Sequence, residues 1–168
     1  MVLVLKNRDW FLEKMTVKKR PAKSKKLPPL WKCPKCGHEF VTRNLWHSCS
    51  NYTLDHHFKG KPPLVRKTFD KWLAAVRKCG PVTVISQKTR IAFMVRVRFT
   101  GAIIRKDWVE AAMWLKRKAQ HPRLIKIAEY PRNDFVHYFR FEKPADVDRT
   151  LRPLLREAYA VGCQKHLE

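Results

Sequence analysis

Cys33 and Cys36 stand two residues apart in the stretch WKCPKCGHEFVTRNLWHSC, residues 31–49, and His47 and Cys49 follow after a ten-residue spacer. Thiolates at this spacing suit a d¹⁰ ion held tetrahedrally, with each sulfur about 2.3 Å from the metal. Gly37 lets the chain turn tightly, so that both sulfurs of the pair face one ion. A lone Cys-x-x-Cys pair also occurs in redox centres. The strand-to-helix setting of such a motif is missing here, and a third cysteine with a histidine nearby favours a structural zinc. The reading is a zinc knuckle over residues 31–58, with Cys33, Cys36, His47 and Cys49 as ligands and Phe40 and Leu45 as its small core. His57 stays open as an alternative ligand, while His38 and His56 read as solvated or packing side chains.

The second chemistry is that of cations meeting anions. The 168 residues carry 37 Lys+Arg against 14 Asp+Glu, a formal charge of +23. The excess is spread along the chain: residues 1–60 hold 13 basic and 4 acidic side chains, residues 61–168 hold 24 and 10. Such a field draws polyanions in from a distance. MTVKKRPAKSKKLPPL (15–30) is rich in Lys and Pro and poor in large apolar residues, so residues 1–30 read as a flexible basic arm. Lys18, Lys19 and Arg20 on that arm, and Trp31, Lys35 and Arg43 on the knuckle, are the candidate contacts to phosphates and bases. In QKTR (87–90), Lys88 and Arg90 flank Thr89 at the start of a strand, a spacing that suits an anion.

Catalytic constellations are missing. The five glycines form no phosphate-cradling loop, and there is no Gly-x-Ser-x-Gly, no His-Glu-x-x-His and no clustered carboxylate pair. His137 alternates with Phe135 and Phe139, which sends it toward the core. Binding is therefore expected over catalysis.

These residues need a scaffold, and residues 59–166 read as one α+β domain of an antiparallel sheet flanked by two or three helices. PLVRKTFDKWLAAVRKCG repeats Val65, Phe69, Trp72, Leu73 and Val76 at helical spacing, with Pro63 at its start and Gly80 as its stop. PVTVI pairs across a turn near Ser86–Lys88 with RIAFMVRVRFT, read as one strand with Ile91, Phe93, Val95, Val97 and Phe99 on one face and Arg96 and Arg98 on the other. DWVEAAMWLKRK fits strand alternation, but Asp107 and Glu110 make a capping-box pattern, and the expectation is a helix. RLIKIAEY and DFVHYFRFE form a hairpin turning at Pro131–Asn133. A last helix runs from a cap at Asp146 to Gly162, with Pro153 as a kink or restart.

LWKCPKCGHEFVTRNLWHSC, HFKGK, CGPVTV, QKTRIAFMVRVRF and EAYAVG, in that order, resemble the family catalogued as domain of unknown function 5655, in the variety with an N-terminal zinc knuckle. The resemblance covers about residues 30–166. It implies metal binding by Cys33, Cys36, His47 and Cys49, and it marks His57, Lys88, Thr89 and Arg90 as part of the family's pattern.

The expected function is that of a zinc-binding protein serving as a nucleic-acid-binding module; the alternative is a protein–protein adaptor with a structural zinc knuckle and no nucleic-acid role. Isolated Cys79 and Cys163 fit a reducing compartment. MVLVL is too short for a signal-peptide core, and no apolar run reaches the roughly 18 residues of a membrane span. A cytoplasmic location without membrane partners is expected.

Overall fold

The computed structural model describes residues 26–45, 47, 49 and 52–167. Lys18, Lys19 and Arg20 lie outside the described residues. Two short strands, β1 (Trp31–Lys32) and β2 (Glu39–Phe40), pair antiparallel. After a 3-10 turn at Leu54–Phe58 come α1 (Pro63–Arg77), β3 (Thr83–Ser86), β4 (Ile91–Met94), β5 (Arg98–Ile104), β6 (Val109–Leu115), β7 (Leu124–Tyr130), β8 (Asp134–Phe141) and α2 (Leu151–Gly162). β3 to β8 form one antiparallel sheet in the order β3-β4-β5-β6-β8-β7. The fold is α+β. No helix among the described residues is long and apolar enough to cross a membrane.

α1 forms where its apolar stripe demands it. Val65, Phe69, Trp72, Leu73 and Val76 are all buried, and Pro63 sits at the first turn, where its missing N–H costs nothing. These side chains meet Ile91, Phe93, Phe99, Val109, Met113, Phe139 and Phe141 from the sheet and Leu151, Leu155 and Ala158 from α2 in one core. His137 is fully buried beside it, its Nε2 accepting the backbone N–H of Ala119 at 2.9 Å. That bond holds the loop after β6 against the sheet.

Three expectations are corrected. Residues 109–115 are a strand, because Val109, Ala111, Met113 and Leu115 all point into the core while β5 and β8 take up the backbone on both sides. Asp107 lies in the β5–β6 turn, and Glu110, instead of capping a helix, is ion-paired with Arg105 at 2.8 Å. Residues 90–100 are two strands: the chain reverses at Val95–Val97, and β4 pairs back on β5. The backbone N–H groups of Arg96 and Val97 both donate to the Gly162 carbonyl, at 3.1 Å each. The last helix starts at Leu151, so Pro153 falls in its first turn, where a proline is tolerated without a kink. Asp146 instead accepts the N–H groups of Glu142 and Lys143, with Arg123 2.7 Å from its other oxygen.

Two measurements test this packing. Phe93→Ala, at a fully buried ring, is expected to cost about 3–5 kcal/mol in denaturant unfolding. Burial holds the His137 imidazole below its ordinary value of 6.5. As pH falls below 6.5 the unfolded chain takes up a proton that the folded chain refuses, so this contribution is present above that value and lost toward acid. The urea midpoint therefore drops between neutral pH and about pH 5, and His137→Gln makes that drop shallower than in the wild type.

Candidate metal centre and sheet-face cleft

The β1–β2 hairpin brings the first two cysteines together. Gly37 takes φ +74°, the left-handed turn its missing Cβ permits. Its N–H donates to the Cys33 carbonyl and the Cys33 N–H donates to the His38 carbonyl, both at 2.9 Å. His47 Nε2 then lies 3.3 Å from the sulfurs of both Cys36 and Cys49, and the sulfurs of Cys33 and Cys49 are 3.9 Å apart. All four ligand atoms fit within 4.8 Å of one another. Tetrahedral bonds of about 2.3 Å to sulfur and 2.0–2.1 Å to nitrogen give ligand–ligand edges of roughly 3.5–3.8 Å. Three donor pairs, at 3.3, 3.3 and 3.9 Å, stand near that spacing.

Their chemistry fits an ion as well. His47 Nδ1 donates to the Leu45 carbonyl at 2.6 Å, which fixes the tautomer that presents a lone pair at Nε2. The backbone N–H of Cys36 holds the Cys33 thiol down to about 6. Desolvation, followed by the neighbouring Cys33 and Cys36 sulfurs, pushes Cys49 up to about 11. Three thiolates this close repel one another, and a divalent cation removes the conflict. His57 stands outside this group: its Nε2 lies 2.9 Å from the Ser86 hydroxyl, tying the 3-10 turn to β3. His38 and His56 are also outside it.

Phe40 is the core of the knuckle and is buried, its ring centroid 4.3 Å from that of His47. Leu45 is 41% exposed, so it is no part of that core; the reversal after β2 turns it to the surface. Trp31 is half-buried against Phe40 and His47. The knuckle does not stand apart from the domain. Cys33 and Phe40 pack on Ile85, Ala92 and Met94 of the large sheet, on the face away from the helices.

That face, which no helix among the described residues covers, also carries a cleft of about 390 Å³ beside the knuckle. Its floor is made of small residues, Ala92, Gly101 and Ala112; Arg90, Arg98, Lys126, Trp114, Tyr130 and Tyr138 rise around them. Trp114 and Tyr130 have ring centroids 6.3 Å apart, and Lys126 Nζ sits 4.4 Å from the centre of the Tyr138 ring. A second cavity of about 450 Å³ lies between the sheet and the knuckle residues Phe40, Val41 and Leu45. Arg98 and Trp114 line both, so the two cavities adjoin and together form a groove beside the knuckle and across the sheet face.

Of the anion contacts read from the sequence, Arg90 lies in this groove. Lys88 is exposed in the β3–β4 turn, and Lys35 and Arg43 are exposed on the knuckle. Trp114, Tyr130 and Tyr138 are not among the residues the sequence reading points to. Strand alternation on β6 places Trp114 opposite the core residues Met113 and Leu115, so reading that segment as a strand is the signal that finds it.

A model of the family described as Domain of unknown function (DUF5655) matches residues 54–162. The chain belongs to that family. The matched span begins at the 3-10 turn and ends with α2, so it contains the whole large sheet and its cleft, while the four ligands precede it. No curated protein and no solved structure matches the chain.

The site is tested by metal analysis. Purified without chelator, the protein is expected to carry one divalent ion per chain. Cys33→Ser and Cys36→Ser abolish this; Cys79→Ser, Cys163→Ser and His57→Ala keep it.

Proposed function

We propose that the chain is a zinc-stapled module that binds single-stranded nucleic acid across the helix-free face of its sheet. One observation carries this reading: Trp114, Tyr130 and Tyr138 share a small-floored sheet face, open among the described residues, with Arg90, Arg98 and Lys126. Aromatic rings offer every base a stacking surface, and the cations follow the backbone. Bases within a duplex are stacked already and present no free face, so a strand with splayed bases suits this groove best. The charge of +23 supplies the attraction that brings such a strand in.

Zinc is the ion this donor set favours, since three soft thiolates and one imidazole match its preference for four soft and borderline ligands. Its role is structural. Cys33, Cys36, His47 and Cys49 would fill all four positions of such an ion and leave none open for a reacting water, and the folded knuckle supplies one wall of the groove. The basic residues Lys18, Lys19 and Arg20 extend the positive charge ahead of the knuckle.

Anisotropy of a labelled single strand is the test. Affinity is expected to fall steeply with salt, and deleting residues 1–29 to flatten that slope by about 0.7 for each phosphate those residues neutralise. Trp114→Ala should cost about 1–3 kcal/mol of single-strand binding for each base stacked on the ring, and far less with duplex. Wild-type protein that ignores oligonucleotides at low salt overturns the reading in favour of a protein–protein adaptor.

A further inference from the structure

Arg90 precedes β4 and Arg98 opens β5, and the register of the two strands sets them at opposite ends of the β4 pairing, Arg98 beside Met94 and Arg90 next to Ile91. Between them lie Ala92 and its partner Gly101, which put almost no side chain into the cleft. Two long cationic side chains thus rise around an open floor. Among the described residues neither guanidinium has a hydrogen-bond or carboxylate partner. The carboxylate that lines the cleft, Glu110, is held by Arg105 through Nε at 3.0 Å and a terminal nitrogen at 2.8 Å.

Arg98 is half-buried, and both its desolvation and the charge of Arg90 act against its proton. A guanidinium does not give that proton up in a protein. Burial, then Tyr130 and Glu110, push the Tyr138 phenol up, with Arg90 acting the other way. The case for an anion therefore rests on Arg90 and Arg98 themselves, which line one cleft without a carboxylate partner among the described residues. A tetrahedral oxyanion with several acceptor oxygens suits both guanidiniums through forked hydrogen bonds.

We propose that Arg90 and Arg98 form a phosphate subsite in the sheet-face cleft, holding one phosphate of the bound strand while the adjoining base lies on Trp114. This rests on the single-strand reading and adds a fixed point to it. The strand does not slide freely over a basic surface; one phosphate is seated, and the groove toward Phe40, Val41 and Leu45 takes the nucleotides on one side of it. The phosphate is either a terminal monoester or an internal diester, which share this chemistry.

The experiment uses the full-length, metal-loaded protein with three probes: a single strand bearing a 5′-phosphate, the same strand with a 5′-hydroxyl, and inorganic phosphate as competitor. Arg98→Gln is expected to weaken strand binding by about ten-fold or more, the scale of removing one charged hydrogen bond. Arg98→Lys recovers only part, because an ammonium cannot make the forked contact. Arg98→Gln should also leave thermal stability unchanged or raised, since it removes an unpaired half-buried charge; a purely structural arginine would lower it. A preference for the 5′-phosphate that vanishes in Arg98→Gln assigns the terminal monoester. Equal binding of both strands, weakened equally by the substitution, assigns the internal diester.

If Arg98→Gln and Arg90→Gln bind strands as the wild type does while Trp114→Ala does not, the subsite is wrong and the single-strand reading stands. If the wild type binds no strand yet binds inorganic phosphate through Arg98, the strand reading fails and the phosphate site stands. Binding of neither overturns both.

Discussion

β4 is buried on both sides, and the rest of the molecule is arranged around that fact. Ile91, Ala92, Phe93 and Met94 are each at most 3% exposed. Ile91 and Phe93 belong to the core shared with α1 and α2, while Ala92 and Met94 lie under Cys33 and Phe40 of the knuckle. A four-residue strand with polar residues on one face would leave the knuckle nothing apolar to lean on. Burial of one large apolar side chain contributes about 1.5–3 kcal/mol. Phe40 and Met94 together therefore make the knuckle's attachment significant against the few kcal/mol that separate folded from unfolded domains. Any metal held by the four ligands would be coupled to sheet packing through this contact, since the hairpin that brings Cys33 and Cys36 together also carries Phe40, and Phe40 closes over the sheet.

The remainder of the same face shows the opposite choice. Where β4 ends and β5 and β6 begin, the outward residues change from apolar to small, aromatic and cationic. Gly101 and Ala112 keep the floor low beside Ala92 at the knuckle's edge, and the rings and guanidiniums stand around it. Each polar element is partly provided for. Lys126 rests over the Tyr138 ring, Glu110 is held by Arg105, and Lys116 pairs with Asp134 at 2.6 Å where the groove meets the knuckle. Arg90 and Arg98 are what is left over. Arg90 is exposed, but Arg98 is half-buried with no partner among the described residues; a charge kept unpaired in that setting is destabilising for the free protein, which makes it a feature to be explained by what arrives.

Parts of this are legible in the chain because the signal is local. Helical spacing in Val65–Val76 marks α1, and the cysteine and histidine spacing marks the ligand group. The β7–β8 hairpin follows from alternation and the Pro131–Asn133 turn, where Arg132 and Asn133 do take positive φ. β6 reads wrongly as a helix for a physical reason. Ala111 and Ala112 suit a helix as readily as a strand, and only the neighbours β5 and β8, distant in sequence, decide between them. Trp114 and the cleft go unseen with that strand. The reversal at Val95–Val97 sends no signal at all: it contains no glycine, proline or asparagine, and its apolar–basic alternation runs straight through the bend. Leu45 is misplaced because nothing local shows which way a residue leaves a metal knuckle.

What holds that silent bend is the end of α2. The Gly162 carbonyl is one of the last acceptors of the helix, a group with no partner further along it, and it takes the N–H groups of both Arg96 and Val97. One helix terminus thereby satisfies two donors that a reversal would otherwise leave bare. The approach is close: a Cβ at Gly162 would stand 2.8 Å from the Phe99 ring, so the helix can come this near only with glycine at its end. The Arg96 side chain extends the junction, donating to Gln164 beyond the helix and to the Pro28 carbonyl ahead of the knuckle. The helix end, the bend between β4 and β5, and the segment leading into the metal centre therefore meet around a single arginine. Arg98 follows two residues later. Its place in the cleft is thus fixed from the core side by Gly162 and from the metal side by the knuckle wall, so the geometry of the groove depends on both halves being folded.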